Sequence, residues 1–157
     1  MIGKYCIIIN DYKRPVTVYG YDRALGAQSS RTVSSVLGYI DPKRGQTYHL
    51  VIHQAIEISH LEHRLIYPMQ CRMNSVEINE TPRFLEKNKT PNYHATVIDD
   101  QDPTSNATVT LPLSLSGVTS YLPVRKPSLE DWDSGKYPRY ELTSEHLDCN
   151  PSDLTFG

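Results

Sequence analysis

Hydrophobic and polar residues alternate most regularly between Gln46 and Ile58. Tyr48, Leu50, Ile52, Ile56 and Ile58 fall on one face of an extended chain, and Thr47, His49, Val51, His53, Ala55 and Glu57 on the other. This period of two predicts a long half-buried strand, with Gln54 the single polar residue on its apolar side. The preceding run, Val33 to Ile40, is rich in β-branched residues, and Asp41-Pro42-Lys43-Arg44-Gly45 between the two has turn chemistry. The pair reads as a β-hairpin. Val16-Thr17-Val18-Tyr19 is a further strand, held to an edge or a strand start by Pro15, which has no N–H to give to a ladder. Thr108 to Leu115 alternates again and carries Pro112, so it too reads as an edge strand.

Helix signals are few. One short helical turn is expected after Pro68 through Met73, and another after Ser128, where Ser128-Leu129-Glu130-Asp131 resembles a capping box with Asp in the place of Glu. Thr81 to Pro103 is polar and interrupted by Pro82, Pro91 and Pro103, so it reads as a loop or linker. The chain after Gly135 reads as a poorly packed tail. The pattern therefore predicts a mainly β protein in three stretches: residues 1–80 as a β domain, 81–106 as a linker, and 107–157 as a late strand, a short helix and a loose tail.

Composition narrows the possible functions. With 38% hydrophobic residues and 8 Gly in 157 residues, the apolar fraction falls slightly short of the roughly 45–50% of an ordinary globular domain. A modest core with long exposed segments is expected. A net charge of −2 and a pI near 6.3 provide no basic field for a phosphate backbone, so nucleic acid is not an expected partner. No apolar run approaches the ~20 residues of a membrane span, and the N-terminal one is too short for a signal-peptide core. A soluble, cytoplasmic protein with no membrane partner is the expectation. Cys6, Cys71 and Cys149 fit neither a disulfide framework nor a zinc motif and read as reduced thiols. The sequons at Asn79, Asn88 and Asn106 matter only in a secreted protein.

Two constellations carry candidate chemistry. His49, His53, His60 and His63, with Glu57 and Glu62 nearby, have the composition of a zinc site. On a straight strand, however, His49 and His53 stand about 13 Å apart, too far to share one ion. A solvated strand face is the expected reading, with no metal and no cofactor. Asp133-Ser134-Gly135 matches the Asp-Ser/Thr-Gly core of aspartic proteases, in which two carboxylates share a proton. It follows Glu130-Asp131-Trp132 and precedes Lys136, so its acid is expected to stay solvated at a helix-ending turn. No serine or cysteine nucleophile motif and no phosphate loop is present. No catalytic residue is therefore expected in this chain.

Several blocks in order resemble the protease region of copia-type retrotransposon Gag-Pol polyproteins. They are Val16 to Asp22, Gly45 to Ile56, His60 to Arg72, Asn79 to Leu85, Leu111 to Ser120, Arg125 to Ser128 and Glu141 to Ser144. Tyr67 stands where that family is expected to have Cys. The resemblance implies a retropepsin-like β fold whose active form is a homodimer with one catalytic Asp per subunit. It places Met1 to Lys4 shortly after the catalytic triplet, which implies a fragment that lacks the fold's N-terminal strands and is inactive as given. It also implies that the hairpin centred on Pro42 to Gly45 is the flap over a peptide cleft, and that Leu65 to Arg72 is a late strand-to-helix segment. Partners on this reading are a second copy, the remainder of the polyprotein, and a peptide substrate where the missing segment is present. The alternative is a host β domain that binds peptides or proteins along an exposed strand edge.

Overall fold

The computed structural model describes residues 5–19, 27–58, 66–88, 92–99 and 107–146. The described chain is mainly β with two short helices, as the alternation predicts. Strands β1 (Ile7–Tyr19), β2 (Ala27–Ile40) and β3 (Thr47–Glu57) form an antiparallel meander. The β2–β3 turn is held by one carboxylate. Asp41 Oδ1 accepts from the backbone N–H groups of Lys43 at 2.8 Å and Arg44 at 3.3 Å, while Gly45, at φ +67°, donates to the Asp41 carbonyl. Such a left-handed turn position favours Gly.

Helix α1 (Pro68–Met73) follows, with Pro at its first turn, where a missing N–H costs nothing. Its end is a Schellman motif: Val76 N–H bonds the Cys71 carbonyl and Ser75 N–H the Arg72 carbonyl, with Ser75 at φ +59°. Strands β4 (Glu77–Asn79), β5 (Ala95–Asp99) and β6 (Thr108–Pro112) make a second antiparallel sheet, and β7 (Ser114–Ser116) with β8 (Thr119–Tyr121) a two-stranded ribbon. The chain then returns to the first sheet. Strand β9 (Val124–Arg125) pairs with β2 beyond the end of β1. Helix α2 (Leu129–Asp133) is capped by Ser128 Oγ, which accepts from Asp131 N–H at 3.0 Å. Strand β10 (Arg139–Glu141) runs parallel to the outer edge of β3.

The core lies between the two sheets. Leu37 pairs with Leu50 and Tyr39 with Tyr48 across β2 and β3, and this face meets Cys71, Val76, Ile98, Leu111 and Leu142. Each large apolar side chain fully buried there contributes roughly 1.5–3 kcal/mol.

The structure corrects three expectations. Residues 95–99, read as linker, form β5 with four of its five residues buried, because two neighbouring strands and the core take up that apolar run. The run after Gly135 is not a loose tail as far as it is described. Residues Arg139–Glu141 join the sheet, and Leu142 and Thr143 are each 1% exposed. Finally, the sheet's second face is not solvated: His49 and His53 are 1% and 6% exposed. Trp132 and Tyr137 cover His49 and Thr143 reaches the His53 backbone, while β9 and β10 on either side are held in the sheet by backbone pairing that sequence polarity does not disclose. The two sheets thus draw strands from all three stretches, 1–80, 81–106 and 107–157.

The alternation in β3 is also interrupted. Val33 pairs with Ala55 but Ser35 with Ile52, so His53 and Gln54 together oppose Ser34, and Gln54 takes φ +55°. This β-bulge moves Ala55 onto the face of Leu50 and Ile52 and takes Ile56 off it. Gln54 then reaches out instead of in, donating to the carbonyls of Ser144 and Glu145 at 3.2 and 3.1 Å.

Candidate functional site

The bulge in β3 creates the polar cluster with the most familiar chemistry. Ser34 Oγ lies 2.8 Å from His53 Nδ1 and 2.8 Å from the Tyr12 hydroxyl, and His53 Nε2 lies 3.3 Å from Glu141 Oε1. Serine, histidine and carboxylate in a row are the constituents of a hydrolase triad, but the arrangement is closed. Ser34 is 1% exposed, and the Tyr12 hydroxyl occupies its remaining approach. The imidazole is also reversed relative to such triads, where Nδ1 faces the carboxylate and Nε2 the serine. The Glu141 contact is close enough for attraction, yet His53 Nε2 makes no well-directed hydrogen bond. This cluster ties β1, β2, β3 and β10 together and has no room for a substrate.

A second Ser–His pair faces open space. A groove of about 1240 Å³ lies among β2, β4, the β7–β8 ribbon and β9, with Leu37, Ile40, Ile78, Leu122 and Val124 among its apolar lining. Ser120 lines it, and its Oγ is 2.9 Å from His94 Nε2 and donates to the Glu80 carbonyl at 3.0 Å. A serine has one proton to give, so with that proton on Glu80 the contact with His94 requires Nε2–H to be the donor. Burial first, then nearby Arg83, holds His94 below the ordinary histidine value and keeps the ring neutral at pH 7. His94 therefore positions Ser120 and is not its base. The pair fixes the ribbon against the end of β4.

The groove's rim is electrostatically uneven. Glu80 is bridged by Arg72 at 3.4 Å with both side chains half exposed, a contact worth about 0–1 kcal/mol. Arg125 and Lys126, at the β9 side, pair with no carboxylate among the described residues. The other edge of β8 has no strand beside it among the described residues, so its outward N–H and C=O groups lie next to the groove.

The residues singled out in the sequence lie elsewhere. His49 is enclosed by Trp132 and Tyr137 and His53 is tied to Ser34, each in its own environment. His60, Glu62 and His63 lie outside the described residues. No group of three metal-ligating side chains occurs among the described residues. Asp133 ends α2, and Ser134 and Gly135 (φ +66°) form the expected turn, with Asp133 and Ser134 exposed. No helix among the described residues is long and apolar enough to cross a membrane.

Sequence reasoning misses the Ser34–His53 contact, although the hairpin holds the signal. The turn at Asp41 sets Leu37 opposite Leu50 and Ser35 opposite Ile52, and the next step brings Ser34 to His53. The groove has no comparable signal, since it forms between segments far apart in the chain. Compared with protein families, with curated proteins and with solved structures, the chain matches none.

Proposed function

We propose that the chain is a protease-like region of a copia-type retrotransposon polyprotein, without a catalytic carboxylate pair of its own, that holds an extended peptide in the groove beside β8. The observation that carries the binding half is the groove itself: an apolar floor and, among the described residues, a neighbouring strand edge with no strand beside it and two cations without carboxylate partners. An extended peptide satisfies all three, with its backbone on β8, its apolar side chains on the floor and an acidic group against Arg125 and Lys126. The family half is supported by the order of the sequence blocks and by the mainly β content. Helix α1 supplies the helical half of the reading of Leu65 to Arg72; residues 66–67, just before it, are not in a strand.

On this reading the flap is not the hairpin at Pro42 to Gly45. That turn is fastened by Asp41, and its strands carry Tyr39 and Tyr48 at 0% and 5% exposure, so it has no freedom to lift. Among the described residues, 14–18 of β1 with 29–32 of β2 are half-buried to exposed along the strands themselves and are the better candidate. The non-catalytic reading rests on Asp133, which stands at an exposed helix end and has no carboxylate paired with it among the described residues.

The test is fluorescence anisotropy with a labelled hexapeptide, Val-Leu-Val-Leu-Glu-Glu, followed by mass spectrometry of the peptide. Saturable binding is expected, weakened by Lys126→Glu and by Ile40→Glu, with the peptide recovered whole and pepstatin without effect. Equal binding of a Lys-Lys-ended peptide, or no binding at all, removes the groove as a peptide site. Pepstatin-sensitive cleavage removes the non-catalytic reading.

A further inference from the structure

Around His49 the second face of the first sheet is closed by α2 and the turn after it, residues 128–138, and the closure centres on that one histidine. His49 is buried, with its ring 5.7 Å from that of Trp132 and 5.3 Å, edge-on, from that of Tyr137. Its Nδ1 is buried and makes no hydrogen bond. The charged groups around it come from three elements. Arg139 of β10 stacks on Trp132 at 3.6 Å, Arg125 comes from β9, and Asp131 and Lys136 flank the end of α2. Asp131, the one carboxylate that favours a charged ring, is already bonded to Lys136 at 3.0 Å. Opposite His49, β2 presents Gly38, which has no side chain, and along β10 the Glu141 carboxylate lies against His53. A proton added to His49 therefore enters a buried aromatic site with two arginines nearby and its one carboxylate already paired with Lys136.

We infer that α2 and the turn after it, residues 128–138, are an acid-released strap between two strands that stay in the sheet: protonation of His49 expels Trp132 and Tyr137 and opens the sheet face around His49. The direction of the pH effect follows from the ring's environment. Burial first, then Arg139 and Arg125, hold the closed-state His49 below its ordinary 6.5, with Asp131 opposing them. Once released, the ring ionises at its ordinary value. The closed form thus keeps its full stability above about pH 7, and the closed-to-open ratio falls up to about tenfold per pH unit between 6.5 and the lowered value.

Trp132 is the only tryptophan in the chain, so its emission reports the strap alone. The experiment follows that emission from pH 8 to 5 on the full chain, with deuterium uptake of residues 128–138 and the NMR titration of the His49 ring alongside. A reversible red shift and faster exchange below pH 6.5 are expected, with far-UV circular dichroism retained and the His49 ring titrating at the same midpoint. His49→Gln and His49→Phe should give flat profiles, while His94→Gln, which alters another buried ring, should keep the transition. The same transition in both His49 variants, no change in the wild type down to pH 5, or a His49 ring that titrates at or above 6.5 would each overturn the proposal. The ring titration is read in the wild type, so the test stands even where a variant fails to fold.

Discussion

Replacing Thr143 with Val keeps the volume and branching of the side chain but removes a hydroxyl that stands in for a strand. The parallel ladder of β10 on β3 sets Glu141 opposite Val51, and Leu142 N–H still bonds the Val51 carbonyl at 2.8 Å. One step further, the backbone pairing is replaced by a side chain. Thr143 Oγ1 accepts from His53 N–H at 2.7 Å and donates to the His53 carbonyl at 2.8 Å, at the bulge. In Thr143→Val both groups lose this partner. The carbonyl keeps a long contact from Gln70 Nε2 at 3.4 Å, so the stranded N–H dominates the loss. A buried polar group left unpaired costs about 1–3 kcal/mol, and with the carbonyl partly compensated the sum is about 2–3 kcal/mol. For a chain of this length that lowers Tm by roughly 5–10 °C. Thr143→Ser keeps the hydroxyl and loses one methyl, about 1 kcal/mol. Urea denaturation followed by circular dichroism at pH 7.5 orders the three proteins, and amide exchange at His53 locates the effect. A Val variant within about 0.5 kcal/mol of wild type, or a Ser variant less stable than the Val one, would refute the reasoning.

Three further outcomes follow from single contacts. Leu142→Ala should cost about 2–5 kcal/mol in the same denaturation experiment, because Leu142 is 1% exposed in the core, whereas Leu129→Ala, at 59% exposure, should stay within about 0.5 kcal/mol of wild type. Ser75→Gly should stabilise by about 0.5–1 kcal/mol, since Ser75 holds φ +59° at the end of α1, where Gly carries no Cβ penalty; a loss measured by the same melts would contradict the Schellman assignment. Asp133→Asn should leave both stability and the peptide incubation products unchanged, and any peptide cleavage that disappears with this variant would place chemistry at Asp133.

Legibility in the sequence follows the reach of the interactions involved. The β2–β3 hairpin, α1 and the Ser128 cap of α2 are readable, since each depends on residues close along the chain. Strand β1 is legible only from Val16 to Tyr19, although it begins at Ile7. Its central Asp11-Tyr12-Lys13-Arg14 is polar, includes Lys13 at φ +54°, and lies on an outer strand that does not need to be apolar. Strand β5 is hidden by the prolines that bracket its apolar run. Strand β10, Arg-Tyr-Glu in sequence, is held by backbone pairing that leaves no hydrophobic period. The sign of the bulge is visible as Gln54 on an apolar face, but polar residues at such positions have several explanations until the partner strand is placed. Both functional features escape the sequence for the same reason. The histidines of β3 look solvated because the strap that covers them lies about eighty residues away in the chain, and the groove is bounded by segments that no local pattern connects.

The most direct test of the proposed function is selection from a random octapeptide library by the immobilised 157-residue chain, with the retained peptides eluted and read by tandem mass spectrometry. Full-length peptides that alternate apolar residues and carry Asp or Glu toward one end are expected, with retention lost in Lys126→Glu and Ile40→Glu and indifferent to Asp133→Asn. Retained peptides without an acidic bias, peptides recovered as fragments, or a selection unaffected by both groove variants would contradict it.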